Sequence, residues 1–510
     1  MLMETIFLNT YYAESLSGAS YAVNKRMELF ENHNLNTTVV TTNYFITNRY
    51  YLMHHFPDKL NHFLDITDIL ANNIFVDEQD AFKELILQAE KKYTIDFKNK
   101  KGVSRNKSYF LWNLYPDDHL LSVTYHNSKN VPIRTDSYDW RGYLSTVSYF
   151  SYDGNKNERY IARREHFNSN GSKKIIYYFT ATNKVRRIDW IRQNDQVQVF
   201  NNLDDLNLAA LDYYTSNGKN YLIIADLFKT TTIAKISKLN EKSNIRLLMQ
   251  LHNIQVNHTS INEPIRIGYS YPILNHERYS GIIALTTRQK RDIDLFRRTE
   301  NSNVYAIPEN WFSTRDIEEH TKIKWEDKEE GLIIVSARLD KTKQIDHAIK
   351  AVAFAHQSVP TIHLEIWGNG NEKSELQALI NKKNAQNFIK LKGLIDNEGM
   401  KKRMSEAKLH LLTSVHEGLP MVLFEAQLGK TPSICYDIDY GPDAIIENRV
   451  NGDLIAANDT KYLAMRIIEL FEEKEEGILQ KYALNSQSTI EKYSEENVWQ
   501  LWQKMLEKIY

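Results

Sequence analysis

Apolar and polar positions recur with two different periods along this 510-residue chain, and the switch between them divides it. At the amino end, Thr5–Thr10 reads as a strand. YAVNKRMELFENH then has helical spacing, and Asn36–Thr42 is a second, β-branched strand, which together predict a βαβ start. A further helical segment is expected around Glu78–Lys91. From about residue 100 the period falls to two. YFLWNLY, HLLSVTYH, YLSTVSYFSYDG, RYIARREHFNSNG, KKIIYYFTATN and KVRRIDWIRQNDQVQVF are short alternating runs split by Asn, Gly and Asp, the signature of an antiparallel meander. The α/β pattern returns at Asn220–Leu227, Ile245–Asn253, Gly281–Thr286 and Asn303–Pro308. A second α/β unit opens at Gly331–Asp340 and continues through HLEIWGNG, FIKLKGLI, LHLLTS and TPSICYD. The last segment reads as an amphipathic helix. Ser494 is its N-cap, Glu495 and Glu496 lie in its first turn, and Val498, Leu501, Trp502, Met505, Leu506 and Ile509 form its packing stripe. No short internal repeat is apparent.

The predicted architecture is therefore α/β, with two doubly wound domains facing a cleft and the first split by an antiparallel insert. The expected boundaries are 1–75 with 205–315 for the N-terminal domain and 76–204 for the β-rich insert. The C-terminal domain is expected over 316–490 and a closing helix over 491–510. The length suits two or three domains.

Composition narrows the class. With 42% hydrophobic residues and a net charge of −1, the chain has no global excess that would favour nucleic acid or a membrane surface. The charge is uneven, however. Residues 101–200 hold sixteen Lys and Arg against nine Asp and Glu, and are rich in aromatics. That segment suits either an extended polyanion or a sheet built by its aromatics with the charges on a solvated face. The single Cys435 excludes an internal disulfide and a Cys-rich metal site, and reads as a small buried hydrophobe. No signal-peptide pattern and no run of 18 apolar residues is present, so the expected compartment is the cytoplasm, with peripheral attachment at the inner face of the membrane as the alternative.

The candidate chemistry lies at strand ends of the second α/β unit. Glu417 is expected on the loop after the strand Lys408–Thr413, and Glu425 about one turn into the helix that begins at Pro420 or Met421. In open α/β sheets, ligands bind outside the carboxyl ends of the strands, and a helix start there favours anions. The bland alternative is a surface Glu beside a first-turn Glu. Arg338 and Lys343 follow the first strand of this unit, and two cations there can hold a diphosphate or be plain surface charges. The glycines of Trp367–Glu372 would let a ligand approach the backbone, and Lys392–Asp396 is a third loop of this kind. Asp437 and Asp439 resemble a metal-binding Asp-x-Asp, but the strand before them and the cations Arg338 and Lys343, which could hold a phosphate, make a metal unnecessary; none is expected.

SARLDKTKQIDHAI, IWGNGNE, KGLI and HEGLPMVLFEA together resemble the donor half of retaining GT-B glycosyltransferases of family four. The resemblance is strong over residues 331–460 and looser over the N-terminal domain. The β insert narrows it to the bacterial branch with poly(ribitol-phosphate) and poly(glycerol-phosphate) glycosyltransferases and those of serine-rich or Ser-Asp-repeat adhesins. The resemblance implies that Arg338 and Lys343 bind the donor diphosphate, Glu425 the ribose hydroxyls and Glu417 the donor sugar. Gly418, Leu419 and Pro420 would line the sugar and phosphate oxygens, and Gly18 belongs to the first glycine-rich turn, which has one Gly where two are common. His252 matches the N-domain histidine near the donor sugar, with a satisfied structural histidine as the alternative. The implied donor is UDP-glucose or UDP-N-acetylglucosamine, a co-substrate; no cofactor is expected. The implied acceptor is a Ser-rich protein or, alternatively, a polyol-phosphate polymer. Assembly as a homo-oligomer or with a partner glycosyltransferase is compatible with this branch, and no nucleic-acid partner is expected. A non-catalytic partner subunit is a second alternative, but such subunits lose the paired Glu and the phosphate cations, all four of which stand here.

Overall fold

The computed structural model describes residues 3–10, 18–74, 76, 80–153, 158–226, 229–256, 264–299, 301–472 and 477–510. The chain divides into two compact units, residues 1–20 with 30–248, and residues 21–29 with 249–510. Its strands, in chain order, are β1 (Met3–Asn9), β2 (Asn36–Thr41), β3 (Phe63–Asp65), β4 (Tyr93–Asp96), β5 (Lys101–Ser104), β6 (Tyr109–Leu114), β7 (Leu120–His126), β8 (Pro132–Tyr138), β9 (Leu144–Asp153), β10 (Glu158–Phe167), β11 (Lys173–Phe179), β12 (Val185–Ile191), β13 (Val197–Phe200), β14 (Asn220–Asp226), β15 (Ile245–Gln250), β16 (Gly281–Ala284), β17 (Val304–Ala306), β18 (Leu332–Ser336), β19 (His363–Trp367), β20 (Ile389–Gly393), β21 (Leu409–Leu412), β22 (Ser433–Asp437) and β23 (Gly452–Ala456).

In the first unit, a parallel sheet runs β15-β14-β1-β2-β3. Its central strands read as unbroken apolar runs because both faces are covered, and Ile6, Phe7, Leu8, Leu222, Ile223 and Ile224 are wholly buried. The insert is a ten-stranded sheet in sequence order from β4 to β13, antiparallel in each pair as the period-two pattern requires.

A buried ionic latch ties this insert to the helix Ile66–Ala71, which starts at a capping box made by Asp65 and Asp68. Arg141 of the insert pairs with Asp139 at 2.7 Å and with Asp68 at 3.1 Å. It also donates to the Asn73 carbonyl at 3.0 Å, and Arg49 approaches Asp68 at 2.9 Å.

Three successive hairpins of the insert repeat one pattern that the sequence reading missed. The outgoing strand carries an apolar residue and a Tyr, and the returning strand an Arg and an acid. They are Val123 and Tyr125 with Arg134 and Asp136; Val147 and Tyr149 with Arg163 and Glu165; Ile176 and Tyr178 with Arg187 and Asp189. Strand register sets Tyr125, Arg134, Tyr149, Arg163, Tyr178 and Arg187 directly opposite one another in one row. Direct cross-strand partners share a face, and each Arg lies over a Tyr ring, at 4.9, 4.4 and 5.8 Å. Each also pairs with the acid two residues on, such as Arg187 with Asp189 at 2.6 Å. Three of the segment's acids are thus engaged by arginines within the sheet. Hairpin loops of unequal length hide the repeat from a fixed-period search.

In the second unit, β16 pairs with β17 in parallel. A six-stranded parallel sheet has the order β20-β19-β18-β21-β22-β23. The chain steps outward from β18 to β20, then returns to the other side of β18 with β21, so the strand order reverses between β18 and β21. The closing helix spans Glu495–Ile509 behind a Ser494 cap. Its buried face is Val498, Trp499, Trp502 and Met505, while Leu501 is exposed. Trp499, which is not in the expected stripe, takes an inward place because it lies three positions from Trp502 on the same face. Among the described residues no helix is long and apolar enough to cross a membrane.

Candidate functional site

The loops after β18 and β21 meet at the reversal in strand order, the location where doubly wound sheets hold ligands. After β18, Asp340 accepts a hydrogen bond from the Thr342 amide and starts the short turn Lys341–Lys343. Gln344 closes the turn in the left-handed region, φ 43°. The β21 loop is stitched to this turn. The Val415 amide donates to the Thr342 carbonyl at 2.8 Å, and Thr413 Oγ1 donates to the carbonyls of Lys343 and Gln344 at 2.9 and 3.0 Å.

That stitching brings Lys343 and Glu417 together. Lys343 Nζ lies 2.6 Å from Glu417 Oε1, and Ser414 Oγ donates to the same oxygen at 2.6 Å. Both charged groups are largely buried. Arg338 behaves differently. Its side chain is 78% exposed and reaches Asp340 at 3.1 Å. Burial opposes ionisation of Asp340, but the Thr342 hydrogen bond and the Arg338 and Lys343 charges hold its carboxyl below the ordinary value. The two predicted cations thus differ: one is fixed to a carboxylate and the other projects outward.

The Glu417 loop runs on through Gly418, Leu419 and Pro420 to the helix Met421–Leu428, which starts without a side-chain cap. Leu419 is buried. A Cβ on Gly418 would stand 2.7 Å from the His252 carbonyl and from Leu285 Cδ1, so only glycine fits there. His252 follows β15, and its Nδ1 lies 2.9 Å from Glu309 with both side chains buried. Its backbone, not its ring, is what the structure places against Gly418.

Glu425 occupies the second turn of the helix. Burial pushes its carboxyl up to about 7, against a partial offset from Lys401. Burial first, and then the Glu425 charge, raise the Tyr21 hydroxyl, which shows the two to be neighbours. Gly18 opens the helix Gly18–Asn32 that carries Tyr21; the preceding Ser17 lies outside the described residues.

Two expected ligand loops have other jobs. A Cβ on Gly368 would meet the Ala337 carbonyl at 1.9 Å, and one on Gly370 the Leu339 carbonyl at 2.3 Å. These glycines admit the neighbouring loop's backbone. In the third loop, Lys392 turns back to Glu365 at 3.3 Å, and Asp396 caps the helix Asn397–Glu406. Asp439 pairs with Arg288, which also holds Asp443 at 3.1 Å. Among the described residues no three His, Cys, Asp or Glu side chains gather as a metal-ligand set.

The sequence reading missed Ser414, His416 and Arg266. Arg266 Nη2 lies 3.2 Å from His416 Nε2. A guanidinium only donates, so Nε2 accepts and the proton is on Nδ1. Burial and the Arg266 charge lower the His416 pKa, which keeps the ring neutral beside Glu417. No motif surrounds Arg266; only the tertiary contact reveals it.

Two α/β units, the second with a Lys–Glu–Ser cluster at the reversal of its sheet, are the architecture of the GT-B fold. Residues 316–486 match the family model of glycosyl transferases group 1, and the chain carries that domain. It is 26% identical over 351 residues to the GtfA subunit of the UDP-N-acetylglucosamine–peptide N-acetylglucosaminyltransferase of Streptococcus agalactiae, covering 66% of this chain and 65% of that one. It is 25% identical to the poly(glycerol-phosphate) alpha-glucosyltransferase of Bacillus subtilis, over 70% of this chain and 55% of that one. Both matches span less than two thirds of the relative's own length. The crystal structure of the pneumococcal O-GlcNAc transferase GtfA in complex with UDP and GlcNAc has the same fold, with a TM-score of 0.82 at 19% identity over 99% of each chain.

Proposed function

We propose that this chain transfers glucose or N-acetylglucosamine from a UDP-sugar, with retention of configuration, to serine residues, or sugars on them, of a serine-rich or Ser-Asp-repeat protein. The observation that carries the reading is the Lys343–Glu417–Ser414 cluster at the reversal between β18 and β21. Breaking the anomeric C–O bond builds positive charge on the sugar and negative charge on the diphosphate. Lys343, fixed before the donor arrives, and Arg338, projecting outward, would meet the second charge. Glu425 would accept from the ribose hydroxyls and Glu417 from the sugar's hydroxyls. Gly418, Leu419 and Pro420 would line the donor, and Gly18 would belong to the first glycine-rich turn. With Lys343 and Ser414 already on one oxygen, Glu417 is poorly suited to attack as a nucleophile. A same-face reaction, in which the acceptor hydroxyl's proton passes to the leaving phosphate oxygen, fits better. His252 would act through its position beside Gly418. Asp439 is paired with Arg288, and no metal is part of the proposed reaction.

The name of the streptococcal relative favours a peptide acceptor and a partner subunit; that of the Bacillus subtilis relative favours a polyol-phosphate acceptor, the second reading. The test is UDP-sugar hydrolysis and transfer by wild type, Glu417→Ala and Arg338→Ala, offered a Ser-Asp-repeat peptide and a polyol-phosphate. Transfer to the peptide, lost in both variants, is expected. Absence of turnover with every nucleotide sugar would sink the reading.

A further inference from the structure

A cavity of about 250 Å³ lies wholly within the first unit. Thr42 and Asn43, just past the end of β2, form part of its wall, as do Ile66 and Thr67, just past β3. It therefore lies at the carboxyl ends of parallel strands, where open α/β sheets bind ligands. The opposite wall is the face of the insert that bears Arg164, His166, Tyr177 and Phe179. No residue of the Lys343–Glu417 cluster takes part in it.

The lining selects a class of ligand. Tyr44, Phe45, Tyr177 and Phe179 supply ring surface, and Phe45 is 47% exposed, as a platform at a cavity mouth would be. Asn207 and His166 also line the cavity, and both side chains are more than nine-tenths buried. Asn207 Oδ1 and His166 Nδ1 have no hydrogen-bond partner among the described residues. Thr42, Asn43 and Thr67 add further polar groups to the lining, and burying such groups against an apolar occupant would be costly. Arg164 is the only charged residue of the lining, and its Nε already donates to Ser148 Oγ at 3.1 Å; a lone, partly engaged cation is a weak anion site. A pyranose has apolar C–H faces for the rings and hydroxyls that both donate and accept. The volume is below the roughly 300–1,000 Å³ of pockets for drug-sized ligands, which suits one sugar ring.

We propose that this cavity is a saccharide subsite holding one pyranose of a sugar-bearing acceptor. The identity of that occupant rests on the transferase reading above, whereas sugar binding itself does not.

The test is saturation-transfer NMR of methyl N-acetyl-α-glucosaminide on the full chain, in a Glu417→Ala background that disables the other sugar-binding candidate. Saturable binding is expected there. Adding Asn207→Ala should weaken it about tenfold, the loss of one hydrogen bond. Adding Phe45→Ala, at an exposed position outside the core, should weaken it comparably. With Glu417 intact, Phe45→Ala should leave UDP-sugar hydrolysis unchanged while lowering transfer to a pre-glycosylated acceptor. Absence of saturable binding in Glu417→Ala, or binding indifferent to both cavity variants, would overturn the subsite. Sugar binding that depends on Asn207 in a chain that turns over no nucleotide sugar would leave the subsite standing and remove the transferase reading.

Discussion

Lys343 Nζ and Glu417 Oε1 are 2.6 Å apart although 74 positions separate them in the chain. The pair exists because two loops are hydrogen-bonded to each other at the reversal of strand order. The cation proposed for the phosphate and the carboxylate proposed for the sugar are thereby one electrostatic object. We expect Lys343→Ala and Glu417→Ala each to lower kcat/KM by about 100-fold or more, in the range seen when a preorganised charge-stabilising group is removed. The double variant should fall well short of the product of the two losses, because groups that act as a unit are not additive. Steady-state kinetics of all four proteins give the coupling directly; strict multiplicativity would mean that the pair does not function together.

Glu425 gives a pH signature. Its folded pKa, about 7, is above the ordinary 4.5, so between these values the folded chain binds more protons than the unfolded one. Its contribution to stability is therefore full below about pH 4.5 and is lost as pH rises through about 7. A tenfold change in proton affinity corresponds to about 1.4 kcal/mol, and partial exposure of the side chain brings the expected effect to about 1–2 kcal/mol. Glu425→Gln should accordingly stabilise the chain at pH 8 relative to wild type and leave it little changed at pH 4.5. If the ionised carboxylate holds the ribose, donor affinity of wild type should rise through the same window and that rise should vanish in the variant. Urea unfolding and donor titration at both pH values check the two halves separately.

Gly418 is where backbone approach governs the loop. With the His252 carbonyl and Leu285 Cδ1 each 2.7 Å from an added Cβ, Gly418→Ala must displace the segment that carries Glu417. A shift near 1 Å in a positioned group costs about 100-fold in rate, so kcat/KM should drop by that order with the thermal midpoint nearly unchanged. A variant with wild-type kinetics would show that the loop yields without moving Glu417.

The parallel strands were legible because strands covered on both faces must be apolar throughout, and the insert because a half-exposed sheet must alternate. The strand β21 and the helix holding Glu425 fell where the apolar run and Pro420 put them. What escaped needs the third dimension. Arg266 meets His416 across 150 positions with no motif around it. The packing of Gly368 and Gly370 against the Ala337 and Leu339 carbonyls was not legible, because a glycine's sequence does not say whose backbone comes close. The Tyr–Arg rows of the insert depend on register, which unequal hairpin loops conceal. The resemblance likewise assigned Lys343 and Glu417 separate roles, and only the stitched loops join them.

Arg141 carries the heaviest stability prediction. It is buried with Asp139 and Asp68, and Arg49 is the second cation of the group. The Arg141 charge and its hydrogen bonds outweigh burial and hold the Asp139 carboxyl below its ordinary value. Removing one partner of such a group leaves a carboxylate out of water without its counter-charge, which typically costs about 3–5 kcal/mol. Arg141→Met should therefore destabilise the chain by that amount, and more steeply at neutral pH than near pH 4, where protonation of the stranded acids relieves them. Arg187→Met, which removes a half-exposed side chain paired with Asp189 in the Tyr–Arg row of the same sheet, should cost less. Because Arg141 joins the insert to the helix Ile66–Ala71, its loss should also unlatch the two: hydrogen exchange should speed up at the amides of β8, β9 and that helix before it does in β18–β23. Uniform exchange throughout, or a cost for Arg141→Met no larger than for Arg187→Met, would show that the latch contributes nothing special.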